Sequence, residues 1–112
     1  WTTAIMARLV GPQGSVLGVE LEEPLVTRSA AALKGVPNAR VQLAVKGQLG
    51  APDDGPFHRI LVSAATSRLP QALVEQLTPD GAMVLPLNSR LVRVTREGQE
   101  AAPGYYAFVP LR

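Results

Sequence analysis

The sequence has 112 residues, too few for two domains, so residues 1–112 are expected to form one domain or part of one. Hydrophobic residues make up 46% and charged residues 18%, which excludes a disordered chain; with only 4% aromatics the core must be aliphatic. The formal charge is +2, and Arg28, Arg40, Arg59, Arg68, Arg90, Arg93 and Arg96 never form a run, so no nucleic-acid partner is expected.

In chain order, Thr2 to Val10 reads as an amphipathic helix, with Ile5, Met6, Leu9 and Val10 on one face. Gly11-Pro12-Gln13-Gly14 ends it, because glycine accepts the left-handed cap and proline cannot continue the helix. Ser15 to Leu21 is a short apolar run with β-branched residues, a buried strand. Pro24 opens a second helix, whose face of Leu25, Val26, Ala30 and Leu33 runs through to Lys34. Gly35 to Asn38 stops it, and Val41 to Val45 forms the next strand. Gly47 to Pro56, rich in Gly, Pro and Asp, reads as a loop.

Arg59 to Ser63 is a third buried strand. Pro70 opens another helix with Leu69, Leu73, Val74 and Leu77 inside, closed by Thr78-Pro79-Asp80-Gly81. Ala82 to Leu87 is a fourth strand, expected to leave its sheet at Pro86, which has no amide hydrogen for the ladder. Leu91 to Thr95 and Tyr105 to Leu111 then form a closing antiparallel hairpin, with Gly98 and Pro103-Gly104 in the turn region between them. Apolar strands alternating with helices belong in a parallel sheet covered on both faces, and the hairpin makes that sheet mixed. The expected class is α/β.

The reactive side chains are few. Without cysteine there is no disulfide, thiol nucleophile or cysteine zinc site, and with His58 as the only histidine a histidine-pair metal site is excluded. No metal is expected. No apolar stretch reaches membrane-spanning length and no signal pattern opens the chain, so the expectation is a cytoplasmic protein with no membrane partner. Glu20 ends the first strand. In a nucleotide-binding α/β fold, an acidic residue at the tip of the second strand lies about 20 residues beyond the glycine turn, where its two oxygens accept both ribose hydroxyls. The plain alternative is a solvated glutamate beside Glu22 and Glu23. His58 is either a general base or, as a lone histidine before a buried strand, a structural or solvent-facing residue.

Four segments resemble the protein-L-isoaspartate O-methyltransferases, a class I S-adenosylmethionine-dependent family. Trp1-Thr2-Thr3-Ala4-Ile5-Met6-Ala7-Arg8-Leu9-Val10 is similar to the helix after the family's glycine-rich loop, and Gly18-Val19-Glu20 to its acidic strand end. Residues 56–65, PFHRILVSAA, resemble the family's PFDRILVTAA, and residues 69–81, LPQALVEQLTPDG, its IPQALLDQLKPGG. Phe108-Val109-Pro110-Leu111 is similar to its closing RFVPL. The order of elements is then the second half of a Rossmann-like class I methyltransferase fold, with the glycine-rich loop and the central first strand expected to precede Trp1. The neighbours of that strand would be left with unpaired backbone groups.

The resemblance implies S-adenosyl-L-methionine as cofactor, held by Trp1, Glu20, Leu21, Lys46 and Gly47. It implies a protein or peptide carboxylate as methyl acceptor, near Ser63, Ala64 and Thr66 at a strand tip, where ligands meet open α/β sheets. A serine or threonine there is otherwise a turn residue. No catalytic side chain is assigned, since a carboxylate is already a nucleophile and needs mainly positioning. Two departures stand out: Val45-Lys46-Gly47 occupies the family's Gly-Asp-Gly stretch, whose aspartate lies near the adenine, and His58 replaces the aspartate of FDRI. The function implied is methylation of isoaspartyl carboxylates in protein repair. Carboxyl methylation of a modified peptide, or a non-catalytic module that keeps the fold, are the alternatives.

Overall fold

The computed structural model describes residues 2–101, and the chain divides into two units, Trp1–Gly50 and Ala51–Arg112. The first unit contains α1 (Thr2–Val10), β1 (Val16–Glu20), α2 (Glu23–Ala32) and β2 (Ala39–Leu43). β1 and β2 pair in parallel from Val16↔Ala39 to Glu20↔Leu43. Helix α1 ends where expected, at Gly11 with φ +76°, and the amide of Gly14 donates to the Gly11 carbonyl. Asn38 completes this cap: its Nδ2 donates to the carbonyls of Ala7 and Gly11, both at 2.9 Å. Helix ends leave such carbonyls without intrahelical partners, so one side chain just before β2 holds the end of α1.

The buried face of α1 is not the expected one. Ala7 is 2% exposed, whereas Ile5, Leu9 and Val10 are exposed. The reason lies in β1, where a Cβ on Gly18 would come within 2.9 Å of Thr3 Oγ1. Thr3 and Ala7 stand one helical turn apart, and their small side chains permit the close approach that the larger ones would block. In α2 the expected face is also only partly used. Val26 is half-buried and Leu33 buried, but Leu25 and Ala30 are exposed, and the helix ends at Ala32 rather than Lys34. Pro24 does lie in its first turn, where a missing amide hydrogen costs nothing.

The second unit contains a 3₁₀ turn (Pro52–Asp54), β3 (Phe57–Leu61), α3 (Gln71–Val74), β4 (Leu77–Leu87), β5 (Arg90–Thr95) and β6 (Gly98–Ala101). Its sheet runs β3-β4-β5-β6, the first pair parallel and the other two antiparallel. The α/β class with parallel strands and an antiparallel hairpin therefore holds, although the described strands fall into two sheets. The hairpin itself is corrected: β5 pairs with β6, a strand not anticipated, while Tyr105 to Leu111 lies outside the described residues. Among the described residues β1 pairs only with β2 and β3 only with β4, so each keeps one open edge.

Three strand boundaries move. β2 and β3 each begin and end two residues earlier than expected, which leaves Ser63 beyond the end of β3. β4 begins at Leu77, so Thr78-Pro79-Asp80-Gly81 is an irregularity within a strand and not a helix stop. The register jumps there from Phe57↔Leu77 to Arg59↔Ala82. Gly81 makes the jump possible, since a Cβ would lie 3.0 and 3.1 Å from the carbonyl oxygens of Phe57 and His58. Nor does β4 leave the sheet at Pro86, which pairs opposite Leu91. The pair Leu87↔Arg90 closes the hairpin turn; antiparallel pairs alternate, so Pro86↔Leu91 needs no ladder donor. The Pro86 carbonyl instead accepts from Thr66 N at 3.2 Å.

The core of this unit is Leu77, Met83, Leu85 and Val94, each at most 1% exposed, with Leu73 and Val74 of α3 against it as expected. Two polar side chains secure it. Buried Gln76 accepts from Ala51 N and donates to the Ala72 carbonyl, and Arg96 donates to the carbonyls of Leu77 and Glu75. Buried polar groups are tolerable when paired in this way.

Candidate functional site

Ligands of open α/β sheets collect at the carboxyl ends of parallel strands, and in the first unit that end carries four of the expected cofactor residues. Glu20 is the last residue of β1 and Leu21 follows it. The Glu20 carbonyl accepts from Ala44 N at 2.7 Å, so the chain leaving β2 stays beside the tip of β1. Residues 45–48 then turn tightly: Gln48 N donates to the Val45 carbonyl, with Gly47 at φ +81°. A glycine at the third position of such a turn supplies the positive φ, as in a type II turn. Glu20, Leu21, Lys46 and Gly47 therefore share one end of one two-stranded sheet. Trp1, the fifth expected residue, lies outside the described residues.

Glu20 is half-buried, and its carboxylate is held asymmetrically. Oε1 accepts from the amides of Leu21 at 2.9 Å and Glu22 at 3.1 Å. Among the described residues Oε2 has no hydrogen-bond partner. Charge-assisted bonds of this kind fix a carboxylate more firmly than neutral ones, so one oxygen orients the group and the other remains available to a hydroxyl donor. The two amides were not anticipated from the sequence. They arise because the chain turns back over Glu20 before entering α2 at Glu23, and only the local pairing of Glu20-Leu21-Glu22 signals it. Lys46 is exposed, with no hydrogen bond or ion pair to the described residues.

The expected substrate residues gather in the second unit. Ser63 and Ala64 follow β3, and Thr66 forms an isolated parallel bridge with Leu87. The Ser63 hydroxyl is exposed and has no partner among the described residues. Thr66 differs: its hydroxyl donates to the Arg68 carbonyl at 2.8 Å and accepts from Arg68 N at 3.3 Å, which folds residues 66–68 into a tight turn. Of the two hydroxyls, Ser63 is thus the one left free to donate.

His58 stands apart from these residues. It is exposed near the amino end of β3, the opposite end of the strand from Ser63. It and Arg59 lie near Asp80, whose carboxyl is held below the usual range first by the Thr78 hydroxyl that donates to it at 3.0 Å. This placement supports the solvent-facing reading of His58 over the general-base reading.

Comparison with known proteins agrees with the resemblance. The family model described as Protein-L-isoaspartate(D-aspartate) O-methyltransferase (PCMT) matches residues 1–110. A protein-L-isoaspartate O-methyltransferase of Methanosarcina mazei is 36% identical over 99% of this chain and 49% of its own length. That of Anaeromyxobacter dehalogenans is 37% identical, over 100% of this chain and 55% of its own. The chain therefore spans about half the length of the curated relatives it matches. Among solved structures, one described as a protein-L-isoaspartate O-methyltransferase from Plasmodium falciparum in complex with S-adenosyl-L-homocysteine superposes with a TM-score of 0.76. It shares 24% identity and covers 96% of this chain and 56% of that one. A second protein-L-isoaspartate O-methyltransferase gives 0.81 at 20% identity, covering all of this chain and 38% of that one. At these identities the structures establish the Rossmann-like methyltransferase fold.

Proposed function

This chain belongs to the protein-L-isoaspartate(D-aspartate) O-methyltransferase family, and on that premise we propose that it contributes the ribose-binding edge and an acceptor-binding loop of an S-adenosylmethionine-dependent protein carboxyl methyltransferase. The acceptor in this reading is the α-carboxylate of an L-isoaspartyl residue in a protein or peptide. Methylation there is followed by closure to a succinimide and hydrolysis, which returns part of the material to aspartate. The reading includes the cytoplasmic location expected above.

One observation carries the proposal: the Glu20 carboxylate has one oxygen fixed by two amides and the other unengaged. A ribose diol needs an oriented, charged acceptor, and Glu20 supplies it with no rearrangement of the loop. S-adenosylmethionine, when bound, supplies a methyl group on a positively charged sulfur, which is electrophilic. The chain's own task is positioning. Glu20 holds the ribose, the 45–48 turn borders the base, and the Ser63 hydroxyl donates to the acceptor carboxylate. No general base is required, because that carboxylate is ionised at neutral pH.

Lys46 favours a second reading. An ammonium cannot accept from the exocyclic amine of adenine as an aspartate does, which suits a module that keeps the fold without the cofactor. Calorimetric titration of the folded protein with S-adenosylhomocysteine, with circular dichroism to confirm folding, separates the two. Saturable binding supports the methyltransferase reading. A folded sample that does not bind overturns it in favour of the non-catalytic module.

A further inference from the structure

We propose that Asn88 is a site of spontaneous deamidation in this protein, with the next residue of its own backbone as the nucleophile. The amide nitrogen of Ser89 forms a bond to Cγ of Asn88, the side-chain amide leaves as ammonia, and a succinimide ring closes. Water then opens the ring at either carbonyl, giving an aspartyl or an isoaspartyl residue. No oxidant, metal or enzyme enters the balance: one water is consumed and one ammonia released.

Asn88 and Ser89 are the two central residues of the β4–β5 turn, closed by Leu87↔Arg90, and both are exposed. Both have positive φ, 49° for Asn88 and 65° for Ser89. Asparagine accepts this conformation, but serine does so less readily than the glycine that such turns prefer. A strained second residue lowers the cost of local opening, and opening is what lets the backbone nitrogen reach Cγ. The reacting atoms are also unrestrained. Among the described residues neither the Asn88 side chain nor the Ser89 amide makes a hydrogen bond; the amide held here is that of Asn88, which donates to the Thr66 carbonyl at 3.0 Å.

The sequence contains one other asparagine, Asn38, and it is an internal contrast. Its Nδ2 is bonded to two carbonyls. The nitrogen that would attack, Ala39 N, is engaged with the Val36 carbonyl at 3.3 Å and lies in β2. The Asp80-Gly81 pair offers a related chemistry, but the Thr78 hydroxyl holds the Asp80 carboxyl below the usual range and so favours its carboxylate form, a poor electrophile.

The native protein is incubated in mildly alkaline buffer at physiological temperature, beside a sample unfolded in urea. Both are digested with trypsin, which releases Asn88 in the peptide 69–90 and Asn38 in the peptide 35–40. In the native sample, peptide 69–90 should convert to two acidic isomers of equal mass, several-fold faster than peptide 35–40 and at nearly its unfolded rate. Retention of the amide at Asn88, or a native rate many-fold below the unfolded one, would overturn the proposal.

Discussion

Replacing Glu20 by glutamine changes one atom of the side chain and tests the ribose assignment directly. In the wild type Oε1 accepts from Leu21 N at 2.9 Å and Glu22 N at 3.1 Å, and a glutamine can keep both bonds with its own carbonyl oxygen. The loop into α2 is therefore preserved, and the substitution acts on the unengaged position alone, where a charged acceptor becomes an amide donor. A hydrogen bond to a charged group contributes about 1.5–3 kcal/mol and a neutral one about 0.5–1.5 kcal/mol, so the loss is about 1–1.5 kcal/mol. That corresponds to roughly tenfold weaker binding of S-adenosylhomocysteine in calorimetric titration. Glu20→Ala removes the acceptor altogether and should weaken binding roughly ten- to hundredfold, by about 1.5–3 kcal/mol. Circular dichroism of each variant confirms that the fold is intact. The reasoning fails if both variants bind as the wild type does, since Oε2 would then contact nothing in the complex.

Three further outcomes follow from the second unit. Leu85→Ala empties a site with no solvent exposure in the second half of β4 and should cost about 2–5 kcal/mol, read from the urea midpoint. Gly81→Ala places a Cβ about 3 Å from three oxygens, two of them backbone, and should cost about 1–3 kcal/mol in the same assay; an unchanged midpoint would mean the register jump tolerates a side chain. Thr78→Val removes the hydrogen bond that lowers the Asp80 carboxyl, so its titration, followed by NMR, should move up toward the ordinary carboxylate range. Because the native value is depressed, the stabilisation tied to it is present above the ordinary range and is lost as the pH falls through the native value. The variant lacks that contribution, and an unmoved titration would show that the hydroxyl is not its cause.

Much of this was legible in the linear sequence. Apolar runs with β-branched residues marked the positions of β1, β2, β3 and the second half of β4, but not their burial: β3, expected to be buried, has no buried residue and β1 has only Val16. Pro24 and Gly11 marked helix ends, because the missing amide hydrogen and the left-handed cap are properties of single residues. Glu20 stood out by residue type at a strand tip, and the 56–65 and 69–81 segments pointed to the family before any fold was seen. What periodicity could not supply was the choice among partners. Thr3 and Ala7, not the larger Ile5 and Leu9, face β1, since only a small pair fits against Gly18. The limits of β3 and β4 follow from a register jump around Gly81, a property of two strands together. That one Glu20 oxygen is bound by Leu21 and Glu22 amides while the other is left for a ligand depends on how the loop folds back. Composition and spacing determine which segments form strands and helices, whereas register, buried face and carboxylate orientation arise only when separate parts of the chain meet.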